Sequence, residues 1–328
     1  MPFPSRRLML AGLAGTPALA RANVPLPAGW PERPIRLIVP AAGGAGTADT
    51  LARLLALELD KRLPQRTLVD NRPGANGNVG ATAAARAAPD GYTFLFTWAG
   101  TMATSPALYR DLAFDPVRDF EPVVLLGNVP NILVVNNGLG VRTLEELTAL
   151  LRQRPGQLSF GSSGNGSSMH LAGEMYRRAT GTEMLHVPYA GIQQGFTDLF
   201  TGRIQVMFNL VTGAAPQVRA GQVTPIAILS ERRSPVLPEV PTTAELGMPQ
   251  LVFGTWFCVM APRGTPRPIL QAMNGLLNAI LEAPESRERL LAQGLDLIGG
   301  GPERLSSLLE SELRTHAELV RFAGVRVE

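Results

Sequence analysis

The amino-acid sequence predicts an α/β protein built as two lobes, each a mainly parallel sheet flanked by helices, with a cleft between them. Short apolar strands alternate with amphipathic helices in a βαβαβ order, which implies parallel strands with crossover helices on both faces. That alternation starts afresh near residue 130. A chain of 328 residues is also longer than one hydrophobic core usually serves.

Ile35-Arg36-Leu37-Ile38-Val39 is an apolar strand, closed by Pro40 and the glycine-rich loop Gly43-Gly44-Ala45-Gly46. Leu51, Leu54, Leu55 and Leu59 share one face of a helix over 51–63. Asp49 sits near its first turn, where a carboxylate meets the positive end of the helix dipole. A strand at 67–70 leads into Asn71-Arg72-Pro73-Gly74-Ala75-Asn76-Gly77-Asn78, and an alanine-rich helix follows over 79–88. Pro89-Asp90-Gly91 turns the chain into a strand at 92–97. After the restart, strands at 131–135, 158–160, 184–187, 204–208 and 224–229 are interspersed with helices at 144–151, 171–178 and 193–201. An apolar strand over 251–260 returns to the first lobe. The tail from Pro268 holds two or three amphipathic helices, broken near Gly294 and at Gly299-Gly300-Gly301-Pro302. The expected lobes are 31–128 together with 249–328, and 129–248.

Residues 1–22 read as an export signal. Arg6 and Arg7 precede an apolar stretch from Leu8 to Ala20, too short to span a bilayer, with small-x-small cleavage candidates at Ala18-Leu19-Ala20 and Ala20-Arg21-Ala22. Ser5-Arg6-Arg7 is similar to the core of a twin-arginine signal. Removal of this segment takes away Arg6, Arg7 and Arg21 and no acidic residue, which brings the formal charge from +3 to zero. No basic stripe is left to neutralise phosphates, so no nucleic-acid partner is expected. Cys258 is the only cysteine, and the three histidines (His170, His186, His316) lack metal-ligand spacing, so neither a disulfide nor a metal site is expected. No cofactor is expected either. The mature chain is expected to be a soluble monomer.

The segment that carries most chemical information is Phe160-Gly161-Ser162-Ser163-Gly164-Asn165-Gly166-Ser167-Ser168-Met169-His170-Leu171. It joins a strand to a helix and presents backbone N–H groups and hydroxyls at a helix N-terminus, a receptor for a carboxylate or another small anion. The bland alternative is a solvated turn with serine caps.

Several motifs in fixed order extend this reading. Pro34-Ile35-Arg36-Leu37-Ile38-Val39-Pro40, Asn71-Arg72-Pro73-Gly74-Ala75 and Pro89-Asp90-Gly91-Tyr92-Thr93 are followed by Gly164-Asn165-Gly166-Ser167, His186-Val187-Pro188-Tyr189 and Leu237-Pro238-Glu239-Val240-Pro241-Thr242. Together they resemble the substrate-binding proteins of tripartite tricarboxylate transporters, the Bug solute receptors, from about Pro31 to the C-terminus. The resemblance implies a type II-like periplasmic-binding-protein fold that closes on a small organic acid in the periplasm. It implies a ligand carboxylate held by backbone amides, hydroxyls and bridging waters. Two loops would do most of this work, Ala41 to Asp49 and Ser162 to Ser168. The implied partners are membrane transporter subunits or, alternatively, a sensor protein. The chain departs from the family pattern in two places. Its first loop lacks an aromatic residue after Pro40 and is one residue longer, and Ser105-Pro106 stands where Asn-Pro is common. Both departures bear on the ligand's identity.

The candidate ligand contacts are therefore Gly44, Ala45, Gly46, Thr47, Ala48 and Asp49 in the first loop, and Ser162, Ser163, Gly164, Asn165, Gly166, Ser167 and Ser168 in the second. Trp98 and Thr101 follow the third strand and Asn209 ends a later one, so all three are candidates to line the cleft. Asp49 either orients the first loop or meets an ammonium group on the ligand. Two enzymatic rivals fail on detail. A dinucleotide-binding loop at Gly44-Ala45-Gly46 would place Asp49, a negative charge, where a third small residue should face the pyrophosphate. A nucleophile elbow needs Gly-x-Ser-x-Gly, and Asn165 falls where the last glycine should be. His170 and His186 read as structural, Trp256 as packing, and the Asn71–Asn78 and Pro89–Tyr92 segments as turn formers. No catalytic residue is expected; a periplasmic hydrolase is the remote alternative.

Overall fold

A computed structural model describes residues 24–44, 46–189 and 191–325. The expected export signal at 1–22 lies outside the described residues, as does Ala45.

The first unit is β1 (Ile35–Val39), α1 (Thr47–Asp60), β2 (Thr67–Asn71), α2 (Asn78–Ala85) and β3 (Thr93–Trp98). A π-helical turn over Gly100–Thr104 then runs into α3 (Ser105–Leu108). β1 pairs in parallel with β2 on one side and β3 on the other. Its residues are nearly all buried because helices cover both faces.

The long strand β4 (Phe120–Asn136) carries the chain into the second unit. There follow α4 (Leu144–Gln153), β5 (Ser159–Ser162), α5 (Ser168–Thr180), β6 (Leu185–Pro188), α6 (Ile192–Phe200), β7 (Val206–Leu210), α7 (Val211–Arg219) and β8 (Val223–Ile228). The chain returns through β9 (Gly254–Pro262) and ends in α8 (Arg267–Glu282), α9 (Pro284–Ala292), β10 (Asp296–Leu297) and α10 (Pro302–Ala323). β5 pairs in parallel with β6 and β7, and every antiparallel pairing involves β4 or β9. Residues 120–130 of β4 pair with β9, whereas 131–136 pair with β7 and β8. β4 thus changes partners between Pro130 and Asn131, and the two parallel sheets hang on either side of that point.

α3 and β10 have no counterpart among the expected elements, and two further elements differ from the sequence expectation. The strand expected at 131–135 is the second half of β4. Its first half is hidden because Pro122, Gly127 and Pro130 interrupt the alternation, and two register shifts, at Pro122/Val124 and Leu125/Gly127, break the period of two. α7 has no counterpart among the expected elements, and it contains two helix breakers, Gly213 and Pro216. Pro216 removes only the bond that Thr212 would accept, and Val211, Ala214 and Ala215 are buried against the sheet.

The core has two parts. One contains Val39, Leu55, Phe96 and Phe257 and continues through Phe160, Tyr176 and Phe208 in the second lobe. The other lies on the opposite face of the first lobe and packs Ile38, Leu95, Cys258 and Met260 against Leu305 and Leu309 of α10. This leaves the carboxyl ends of β1, β2, β3 and β5 free to carry loops toward the cleft, where ligands bind in open α/β sheets.

Candidate ligand-binding site

The serine-rich loop is braced from within. Ser162, fully buried at the end of β5, accepts a hydrogen bond from the Gly164 amide at 3.1 Å. Gly164 and Gly166 adopt φ of +115° and +77°, a region open to glycine and costly for other residues. Ser167 is the N-cap of α5: its hydroxyl accepts from the His170 amide at 3.2 Å and donates to the Gly164 carbonyl at 2.8 Å. These bonds hold Ser163 and Asn165 exposed and Ser168 half-buried at the positive end of a 13-residue helix.

Two histidines form the floor beneath this loop. The rings of His170 and His186 stack with centroids 3.7 Å apart and planes 6° apart, and the His186 ring also lies against Phe160. His170 Nδ1 accepts from the Gly166 amide at 3.2 Å, and His186 Nε2 lies 2.7 Å from Ser162 Oγ. Burial holds both imidazoles neutral. With the neighbouring His186 and Arg177 adding to it, His170 is lowered to about 3; burial and Arg177 lower His186 to about 4.

Across the cleft stands the wall formed by the β2–α2 loop, the π-helical turn and α3. A Cβ added at Gly166 would lie 2.6 Å from Leu108 Cδ2, 3.5 Å from Thr104 Cγ2 and 3.7 Å from Asn76 Nδ2. The two lobes therefore meet at this glycine. Asn76 has φ of +54°, a conformation asparagine tolerates, and donates to the Gly100 carbonyl at 2.9 Å. Ser105 donates to that same carbonyl at 3.2 Å.

The remaining candidates fall into different places. In the first loop, Gly44 is exposed, Gly46 and Ala48 are half-buried, and Thr47 is buried. No atom lies within 4 Å of a Cβ added at Gly44 or Gly46, so that face of the loop is open. The Asp49 carboxylate is occupied internally by Gly44 N–H at 2.9 Å, Arg53 Nε at 2.8 Å and Asn71 Nδ2 at 2.8 Å. Burial alone would raise its pKa, but the bonds from Arg53, Asn71 and Gly44 and the charge of Arg53 outweigh that and lower it. Of the two sequence readings of Asp49, this arrangement favours the one in which it orients the first loop. Thr101 is fully buried and donates to the Asn76 carbonyl at 2.8 Å, so it shapes the wall from behind. Trp98 is half-exposed and packs on Phe257. Asn209 is buried, accepts from the Leu210 amide at 2.8 Å and has an unpartnered Nδ2.

Sequence reasoning passed over Asn76, Thr104 and Leu108. Asn76 was read as a turn former, and no local pattern marks Thr104 or Leu108. The available signal was topological, since β1, β2 and β3 are parallel neighbours and their carboxyl-terminal loops must reach the same edge. A separate surface groove of about 280 Å³ lies between α4 and the C-terminal end of α5, beside Leu246 and Met248. It makes a poor carboxylate site, because its Arg152 already donates to the Thr180 carbonyl and Glu145 lines it.

Residues 51–325 match the model of the tripartite tricarboxylate transporter family receptor. The chain belongs to that family. Among its relatives, protein BugT of Bordetella pertussis (strain Tohama I) is 35% identical to the receptor over 300 residues, which are 91% of this chain and 92% of BugT. Two solved structures are also similar. R. palustris Rpa4515 with adipate is 36% identical, with a TM-score of 0.87 over 90% of this chain and 99% of that one. MatC (Rpa3494) from Rhodopseudomonas palustris with bound malate is 32% identical, with a TM-score of 0.81 over 89% of this chain and 100% of that one. The receptor accordingly has their two-lobe α/β fold, and its family is one of solute receptors.

Proposed function

We propose that the receptor captures a small carboxylate between the Ser163–Ser168 segment and the Asn76–Thr104 wall, closes on it, and presents the closed form to transporter subunits in the membrane. The observation that carries this reading is the seating of Gly166 on Leu108 and Thr104, with the exposed groups of an N-capped helix start beside it. Closure removes water from around the bound carboxylate and strengthens its bonds to amides and hydroxyls. A ligand touching both lobes favours the closed state by its differential affinity. The lobes divide at 128/129 and 248/249, close to the partner change in β4. Adipate and malate in the two similar structures support dicarboxylates as the ligand class.

The receptor is not an enzyme in this reading. Ser162 is fully buried and its oxygen is engaged by Gly164, while His186, lowered to about 4, is too weak a base to activate it at neutral pH. The site is periplasmic and the mature chain is a monomer without a nucleic-acid partner. Among the described residues, no helix is long and apolar enough to cross a membrane.

A thermal-shift screen tests the reading. The protein is unfolded and refolded to strip bound ligand, then heated with a panel of dicarboxylates, tricarboxylates, aromatic acids and amino acids. A ligand at about a hundred times its Kd adds about 2.7 kcal/mol, a shift of several degrees. At least one carboxylate should give that shift and be recovered unconsumed after long incubation. Consumption of the hit, or a folded sample with no hit among the acids, overturns the reading.

A further inference from the structure

We propose that His316 and Glu312 of the C-terminal helix are positioning residues for the ligand cleft, acting through Thr104. This inference rests on the closing motion described under Proposed function. None of the three residues was among the sequence candidates, and α10 lies outside both candidate loops.

Thr104 is fully buried and faces two ways. Its Oγ1 lies 2.8 Å from His316 Nδ1, and its Cγ2 points at the serine loop, 3.5 Å from where a Gly166 Cβ would be. His316 is itself buried, and its Nε2 lies 3.1 Å from Glu312 Oε2, which also accepts from the Trp256 indole N–H at 3.1 Å. An indole N–H only donates, so the carboxylate oxygen is the acceptor for both groups. His316 then carries its proton on Nε2, leaving Nδ1 to accept from the Thr104 hydroxyl. Burial opposes the Glu312 charge, but the bonds from His316 and Trp256 keep its pKa below the ordinary carboxyl value, consistent with an ionised acceptor.

The consequence is a fixed rotamer. With its hydroxyl tied to His316, Thr104 presents its methyl group, beside Leu108, to the incoming Gly166 turn. Without His316 the side chain can rotate and turn its hydroxyl toward the apolar Leu108 side chain that meets the Gly166 turn. A buried hydroxyl without a partner disfavours the closed state and leaves the open one nearly unaffected. Trp256 lies on β9, one of the strands joining the lobes, so the same carboxylate ties the cleft wall to the crossover.

A double-mutant cycle tests this, read by calorimetric titration with the carboxylate that gives the largest thermal shift, and with folding checked by circular dichroism. His316→Leu should lower affinity about tenfold, the scale of one lost orienting hydrogen bond. In a Thr104→Val background it should cost less than about twofold further, because valine offers a methyl group in either orientation. His316→Asn, which keeps an acceptor near the Nδ1 position, should recover most of the loss. A purely structural role predicts equal losses in both backgrounds and overturns the proposal. Should His316→Leu fail to fold, Thr104→Ser decides instead. It keeps the hydroxyl for His316 and lacks only the methyl, and it should weaken binding more than Thr104→Val does; the reverse order overturns the proposal. If the unmodified receptor binds none of the acids, it is the functional reading that fails.

Discussion

Gly166→Val leaves the receptor folded and lowers its affinity for its carboxylate by at least about tenfold. Two costs combine at this position. The φ of +77° is unfavourable by about 1–2 kcal/mol for any L residue, and more for a β-branched one. A Cβ would also sit 2.6 Å from Leu108 Cδ2, and the two γ-methyl groups of valine reach further into Thr104 and Asn76. Overpacking of this kind typically costs about 1–3 kcal/mol. The backbone cost falls on open and closed forms alike, but the clash exists only when the lobes meet. It is therefore a penalty on closure, and 1.4 kcal/mol of it is about a tenfold loss of affinity. Gly181→Ala is the control. Gly181 also has positive φ, at +63°, but it caps the far end of α5 with no atom within 4 Å of an added Cβ. That variant should lose stability and keep its affinity. Unchanged affinity in folded Gly166→Val would remove the serine loop from the site.

The second large effect is loss of stability in mild acid. His170 and His186 are held at about 3 and about 4 when folded, below the ordinary imidazole value of 6.5. Well above pH 6.5, from about pH 8, both are neutral in folded and unfolded chains, and they give no pH dependence. As the pH falls below 6.5 the unfolded chain takes up protons that the stacked pair refuses, so stability falls with it. The slope approaches about 1.4 kcal/mol per pH unit for each histidine, or roughly 2 kcal/mol each by pH 5 at full shift. The half-exposed His186 contributes less than this. Urea unfolding at pH 7, 6 and 5 should show the decline, and His186→Phe, which keeps an aromatic ring against Phe160 and His170, should show a shallower one. Since the folded pair stays neutral down to about pH 4, the bond from Gly166 N–H to His170 Nδ1 persists and ligand affinity should hold over the same range. A stability flat from pH 7 to pH 5 would mean that the pair opens to solvent and does not brace the loop.

Much of the fold is legible because its strands include short apolar runs bounded by Pro and Gly, as at Ile35–Val39 between Pro34 and Pro40. What is not legible lies where tertiary packing overrides local preference. The first half of β4 contains prolines and bulges, which a central strand tolerates only because β9 and β10 pair around them. α7 forms around Pro216 because its apolar residues are buried. In the site, the serine loop is readable from composition alone, since Gly, Ser and Asn before an amphipathic helix have a local meaning. The wall facing it is not. Thr104 and Leu108 acquire a role only when the second lobe brings Gly166 to them, from about sixty residues away in sequence. The role of Asp49 was open in sequence because its three partners include Asn71, 22 positions away on the next strand.

The crystal structure of the ligand-stripped receptor, grown again with the carboxylate that gives the largest thermal shift, tests the central claim most directly. The account predicts one carboxylate group about 3 Å from amides or hydroxyls of Ser163–Ser168, enclosed by Asn76 and Thr104 with Gly166 seated on Leu108. A ligand bound in the groove beside Arg152, or a closed cleft that holds none at saturating concentration, would contradict it.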